Sequence, residues 1–314
     1  MNSCTPKFLL IILVATTFFT QKSFATSCHN YLNSSPENEA INEIKRLFES
    51  AKIKEPFSHT RQRRLVDPNE DPIAKSIARG LRVNKIPDSE LSILSSCTYS
   101  LVRPAGSDAS KGSPFILTTA HCANQASDYF ALAFGYRKNE FDFGVLGKDI
   151  NALPKRVGIA KEGEWAILKL PRAISENEVP ALEVLPLDLD VADILSDEEK
   201  GHNFGSLYGY SADKMGEGGE VLTKSIGAHN LAGAGIAFWS KRSTNGAGLT
   251  GWKGVSGGPL MLKINGHDYV GGAAVSQDNT GHITYAPVPA FREALEEMWE
   301  EWQKEPQAVA SLSD

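Results

Sequence analysis

The chain has 314 residues, a formal charge of −6, 41% hydrophobic and 22% charged residues. That is ordinary globular composition, with enough length for a sizeable core and for about two domains. An acidic chain without a basic stripe argues against a nucleic-acid partner.

Residues 1–25 read as an export signal. Lys7 gives the positive start and Phe8 to Phe19 an apolar stretch too short to span a bilayer with ease. Ser23 and Ala25 give the small residues ahead of a cut after Ala25. No later segment is long and apolar enough to cross a membrane. The expected location is secreted or periplasmic, where disulfides persist. Cys4 leaves with the signal. Cys28, Cys97 and Cys122 remain, an odd number, so one thiol is left free or for an intermolecular bond.

Residues 26–90 read as an N-terminal prosegment or packing arm. Ser35-Pro36 is a helix start, followed by Ile41, Ile44, Leu47, Phe48 and Ala51 on one helical face. Asp71-Pro72 repeats the start signal before Ile73, Ile77 and Leu81, again at helical spacing. Between them Arg61-Gln62-Arg63-Arg64 reads as an exposed basic run, either a processing site or a solvated loop.

From Leu91 onward, short β-rich runs alternate with Gly/Asn/Asp/Ser clusters, as in an all-β barrel or sandwich. Examples are Tyr129–Phe134, Trp165–Leu170, Tyr269–Val275 and Ile283–Pro287. Pro104 to Asp108 reads as a surface hairpin, and Pro180 to Asp190, with Pro180 and Pro186, as a linker. Phe291, Leu295, Met298 and Trp302 predict a C-terminal helix over about 290–303, and 304–314 a disordered tail.

Two stretches carry chemistry. In Gly254-Val255-Ser256-Gly257-Gly258-Pro259 a serine stands among three glycines, in a turn that can expose its hydroxyl and aim the N–H groups of Gly254 and Ser256 at one point. In Phe115-Ile116-Leu117-Thr118-Thr119-Ala120-His121-Cys122 an apolar strand ends in a histidine. A serine hydroxyl is a poor nucleophile at neutral pH. It needs an adjacent base, which in turn needs a third group to fix its tautomer.

Together with Glu164-Trp165-Ala166-Ile167-Leu168-Lys169-Leu170 and Cys97-Thr98-Tyr99-Ser100-Leu101, these stretches resemble the chymotrypsin/trypsin-like serine endopeptidases, in the secreted, bacterial form. The resemblance covers about residues 92–300, with the signatures in the family's order. It implies two six-stranded antiparallel Greek-key barrels, about 91–180 and 195–290, inside a domain of 91–303. Gly205 to Tyr210 resembles the strand that opens the second barrel. It implies His121 as base, Glu164 as acid, Ser256 as nucleophile, and Gly254 and Ser256 as oxyanion donors. It also pairs Cys97 with Cys122, leaving Cys28 over. Polypeptide is the implied substrate, and no cofactor or metal is implied.

The sequence departs from that family at two places. Glu164 stands where aspartate is usual, which moves the carboxylate outward by one methylene; Asp142 and Asp149 are the runner-up acids. Val255 stands where an aspartate often pairs with a newly cut N-terminus, so the oxyanion site is expected to be preformed. Thr250 at the pocket base, with Ser276, Asp278 and Ile283 on the walls, places no carboxylate to draw Lys or Arg to the base. Gly246 to Gly251 matches GxGxxG but follows no strand and opens no helix. Gly254 to Gly258 also matches the α/β-hydrolase elbow, but too little chain follows it. The reading is an exported serine endopeptidase. The alternative is a binding protein of the same fold with weak or lost catalysis.

Overall fold

The computed structural model describes residues 11–14, 36–51, 63–85, 91–124, 126–160, 163–186, 204–214, 216–228, 230–231, 238–239, 253–277 and 283–305. The helices are α1 (Pro36–Ser50), α2 (Pro72–Lys75), α3 (Ala120–Ala123) and α4 (Val288–Lys304). The strands are β1 (Ile11–Val14), β2 (Arg63–Leu65), β3 (Ile77–Lys85), β4 (Leu91–Pro104), β5 (Ser113–Thr118), β6 (Tyr129–Phe134), β7 (Phe143–Gly147), β8 (Lys155–Ala160) and β9 (Gly163–Ile174). They continue as β10 (Leu182–Val184), β11 (Phe204–Gly209), β12 (Thr223–Ala228), β13 (Asn230–Leu231), β14 (Phe238–Trp239), β15 (Pro259–Ile264), β16 (His267–Gln277) and β17 (Ile283–Pro287).

The all-β expectation holds, with a C-terminal helix. In the N-terminal half the strands run β7-β6-β3-β4-β5-β9-β8. In the C-terminal half they run β2-β12-β11-β15-β16-β17-β14-β13. β10 pairs in parallel with both β4 and β16, so the two halves form one hydrogen-bonded sheet. This corrects the linker reading of Pro180 to Asp190. Leu182 and Val184 are buried in the core, and the prolines flank a strand; residues 187–190 lie outside the described residues.

Most strands of the N-terminal half bury both faces; β8, with Ile159 75% exposed, does not. Successive side chains on a strand point to opposite faces. Phe130, Leu132 and Phe134 of β6 enter an inner core with Cys97, Tyr99 and Leu101 of β4, Ile116 of β5, and Ala166, Leu168 and Leu170 of β9. The alternate residues Ala131, Ala133, Phe115, Leu117, Trp165 and Ile167 belong to a second, larger core. Two-sided burial is why β5 reads as an unbroken apolar run rather than an alternating one.

Two helices close that larger core. From α4, Phe291, Leu295, Met298, Trp299 and Trp302 are buried, with the two tryptophan rings 5.9 and 6.1 Å from Phe115. From α1, Ile44, Leu47 and Phe48 are buried, each worth roughly 1.5–3 kcal/mol. The arm therefore packs as an integral layer; Ser35, its expected cap, lies outside the described residues.

The second helical reading fails after one turn. Asp71 does cap α2, its carboxylate accepting the Ile73 N–H at 3.2 Å, but the helix stops at Lys75. Ile77 and Leu81 lie on β3, which pairs with β4 and β6, so the N-terminal sheet begins well before residue 91. A spacing of four suits a helix face and also one face of a strand, and here tertiary pairing decides. The exposed-run reading of Arg61 to Arg64 holds at Arg64, which is exposed, and is corrected at Arg63. Arg63 is only 8% exposed, and β2 pairs with β12; Arg61 and Gln62 lie outside the described residues. Ile11–Val14, within the stretch read as an export signal, runs parallel to β7. No described helix is long and apolar enough to cross a membrane. Cys28 and the tail from 306 lie outside the described residues.

Candidate active site

His121 sits on α3, a single turn at the end of β5. The Cys122 and Ala123 N–H groups both donate to the Thr119 carbonyl at 3.2 Å, and Asn124 N–H to Ala120 at 2.9 Å. At the far end Lys155 Nζ donates to the Ala123 carbonyl at 3.0 Å; burial lowers the pKa of that ammonium. A disulfide from Cys122 to Cys97 of β4 pins the turn, with a Cα–Cα distance of 6.3 Å and a sequence separation of 25. A loop of this size is stabilised by about 3 kcal/mol. Tyr99 donates its hydroxyl to the Cys122 carbonyl at 3.1 Å, and burial pushes its phenol pKa up.

The strand register brings the acid to the histidine. β5 and β9 pair with Thr118 opposite Ala166, so the chain just beyond Thr118 meets the chain just before Ala166. His121 Nδ1 donates to Glu164 Oε1. A carboxylate only accepts, so this contact leaves Nε2 of the neutral ring as the basic nitrogen. Nε2 lies 3.4 Å from Thr119 Oγ1. Side-chain exposure is 44% for His121 and 23% for Glu164, open enough for a substrate to reach the ring. Neither runner-up acid takes this place. Asp149 caps a short turn by accepting Asn151 N–H at 2.9 Å, and Asp142 packs its carboxylate at Gly135 in the β6–β7 turn.

The serine lies in the turn before β15. Gly254 has φ of +96° and Gly257 +85°, a region L side chains rarely adopt. A Cβ at Gly254 would stand 2.3 Å from the Tyr210 carbonyl oxygen, and one at Gly257 2.2 Å from the Thr98 oxygen. Val255 is buried in the larger core. Apolar packing therefore occupies the position where the resemblance would have an aspartate. Among the described residues, the Gly254 and Ser256 N–H groups meet no hydrogen-bond acceptor. The Ser256 hydroxyl donates to the Val275 carbonyl at 3.3 Å and makes no hydrogen bond to His121.

Thr98 joins the two stretches, and sequence reasoning missed it. Its N–H donates to the Ser256 carbonyl at 2.9 Å, and its hydroxyl donates to the Gly254 carbonyl at 2.8 Å. The same hydroxyl accepts the Tyr210 N–H at 3.0 Å, while its carbonyl accepts from Thr118 Oγ1 at 3.0 Å. The neighbouring Cys97 carries the disulfide to the residue after His121. One dipeptide of β4 thus grips both the histidine turn and the serine turn. A threonine beside a motif cysteine is the only signal the sequence offers for it.

The pocket residues are less gathered. Ser276 is exposed on β16 and Ile283 is buried in the larger core, while Thr250 and Asp278 lie outside the described residues. Ligand-type atoms of Cys97, His121 and Cys122 lie within 4.8 Å of one another, but the disulfide leaves no thiolate for a metal.

A solved structure of Glu endopeptidase in complex with MPD matches 78% of this chain and 99% of its own at 15% identity and a TM-score of 0.52. The fold is chymotrypsin-like. A second solved structure, the protease Anisep from Arthrobacter nicotinovorans, covers 72% of this chain and 98% of its own at 13% identity, with a TM-score of 0.49. No family model matches the chain, and no curated protein matches it in sequence.

Proposed function

We propose that this chain is an exported serine endopeptidase acting through a Ser256–His121–Glu164 triad. The observation that carries the reading is the contact of His121 Nδ1 with Glu164, on a turn tied through Cys97-Thr98 to the turn bearing Ser256. Glu164 sets the imidazole tautomer and offsets the positive charge the ring gains. On this reading the hydroxyl exchanges the Val275 carbonyl for Nε2 when substrate binds, since in unliganded enzymes such a contact often tightens only with substrate. Ser256 Oγ then attacks the scissile carbonyl while His121 takes its proton. The Gly254 and Ser256 N–H groups receive the oxyanion. His121 returns the proton to the leaving amine, and water releases the acyl group by the reverse sequence.

The contact of Ser256 with Val275 also favours a second reading, a binding protein of this fold with catalysis weak or lost. Labelling with a serine-directed phosphonofluoridate separates the two. The peptidase reading requires an adduct on Ser256 that disappears in His121→Ala, together with cleavage of a peptide library. A folded protein with no adduct and no cleavage would leave only the binder.

A further inference from the structure

The serine turn is backed by loop residues 211–214 and 216–221, and the N-terminal arm holds them. Ala212 N–H donates to the Lys253 carbonyl at 2.7 Å. The next residue, Asp213, is fully buried and pairs with the guanidinium of Arg63, 150 positions away, with side-chain exposures of 2% for Arg63 and 0% for Asp213. Asp213 also shapes its own loop, Oδ1 accepting Gly216 N–H at 3.1 Å and its carbonyl accepting Gly218 N–H at 2.9 Å. β2 delivers Arg63 by pairing it opposite Ser225 of β12. The loop's far end is held in the same way. Glu220 accepts from Arg79 Nη1 at 2.5 Å and from Tyr136 Oη at 2.8 Å, and Arg79 lies over the Phe48 ring of α1 at 5.0 Å.

Lys253 and Gly254 share one peptide unit. A trans peptide is planar, so its C=O and N–H point in opposite directions. Ala212, by fixing where the Lys253 oxygen points, fixes where the Gly254 N–H points. We propose that Arg63 and Asp213 are positioning residues for the oxyanion-binding turn: the arm supplies an internal cation that sets Asp213, then Ala212, then the Lys253–Gly254 peptide. This rests on the peptidase reading. Under it, the arm stays with the enzyme, and no newly cut N-terminus is needed to form the oxyanion site. Val255, buried where such a cut end would otherwise be paired, fits this arrangement.

The test compares Arg63→Met, Arg63→Lys and Asp213→Asn with wild type in kcat, KM, phosphonofluoridate labelling rate and thermal midpoint. A peptide tilted off its target lowers transition-state binding and leaves ground-state binding alone. Arg63→Met and Asp213→Asn should therefore lose on the order of 100-fold in kcat with KM unchanged. Arg63→Lys, which keeps the cation, should stay within about tenfold of wild type. If Arg63→Met does not fold, the double change Arg63→Met/Asp213→Asn, which leaves no lone buried charge, is read by the same criterion. A folded variant with wild-type kcat, a loss confined to KM, or a Lys variant as slow as the Met variant would overturn the proposal. Wild-type protein that takes no adduct on Ser256 sinks the peptidase reading instead, so the two failures are separable.

Discussion

Thr98 holds Ser256 by its backbone, N–H to carbonyl oxygen at 2.9 Å, while its side chain holds the Gly254 carbonyl at 2.8 Å. Thr98→Val keeps the shape and removes both hydroxyl contacts, leaving the buried Tyr210 N–H without its acceptor. We expect a loss of about 1–3 kcal/mol in stability and a fall of roughly tenfold in kcat. Chemical denaturation and steady-state kinetics would check both; an unchanged kcat would remove Thr98 from the positioning of the serine turn.

Glu164 reaches His121 from a fixed strand position, so both its charge and its length count. Glu164→Gln should lower kcat by up to roughly ten-thousandfold, as a loss of the orienting carboxylate does in comparable triads. Glu164→Asp restores the charge but stops one methylene short from the same backbone, and should fall between the two. A Gln variant as fast as wild type would remove Glu164 from the mechanism.

The arm's contribution to stability is measurable at Phe48, a fully buried ring 4.7 Å from that of Tyr136. Phe48→Ala should cost roughly 3–5 kcal/mol of unfolding free energy. A removable prosegment would leave the unfolding midpoint of the catalytic part nearly untouched, and that result would return α1 to the prosegment reading.

Five tyrosines, Tyr99, Tyr136, Tyr208, Tyr210 and Tyr285, have pKa values raised by burial from the ordinary 10.0. The folded state keeps these phenols protonated at pH values where the unfolded chain has lost its protons. Their contribution is therefore fully present below pH 10 and is lost as pH climbs above it. Tyrosinate absorbance from these residues should appear together with loss of the β-sheet circular dichroism signal. A full tyrosinate titration near pH 10 in a folded protein would contradict the burial.

What the sequence makes legible follows from how local each determinant is. β5 and the turn after it can be read because an apolar run and its terminal His121 lie in one short stretch. The Gly254–Gly258 turn is legible because glycines at positive φ leave a mark in the sequence itself. The meeting of His121 with Glu164 depends on the β5–β9 register and is suggested only through a resemblance. β3 is misread because Ile77 and Leu81 satisfy two periodicities at once. Arg63 is misread because a basic run gives no hint of Asp213, and Thr98 is missed because half of its contacts are made by backbone groups, which any residue possesses, and its hydroxyl meets main chain distant in sequence.

β10 is three residues long, yet its main chain is hydrogen-bonded to strands of both halves. Parting the halves therefore breaks ladder bonds as well as side-chain contacts, so their relative placement is set by the main chain itself. The whole should melt in a single cooperative step. Either half made alone would present a bare strand edge and recruit further copies of itself, so the two halves produced as separate polypeptides should aggregate unless mixed during refolding.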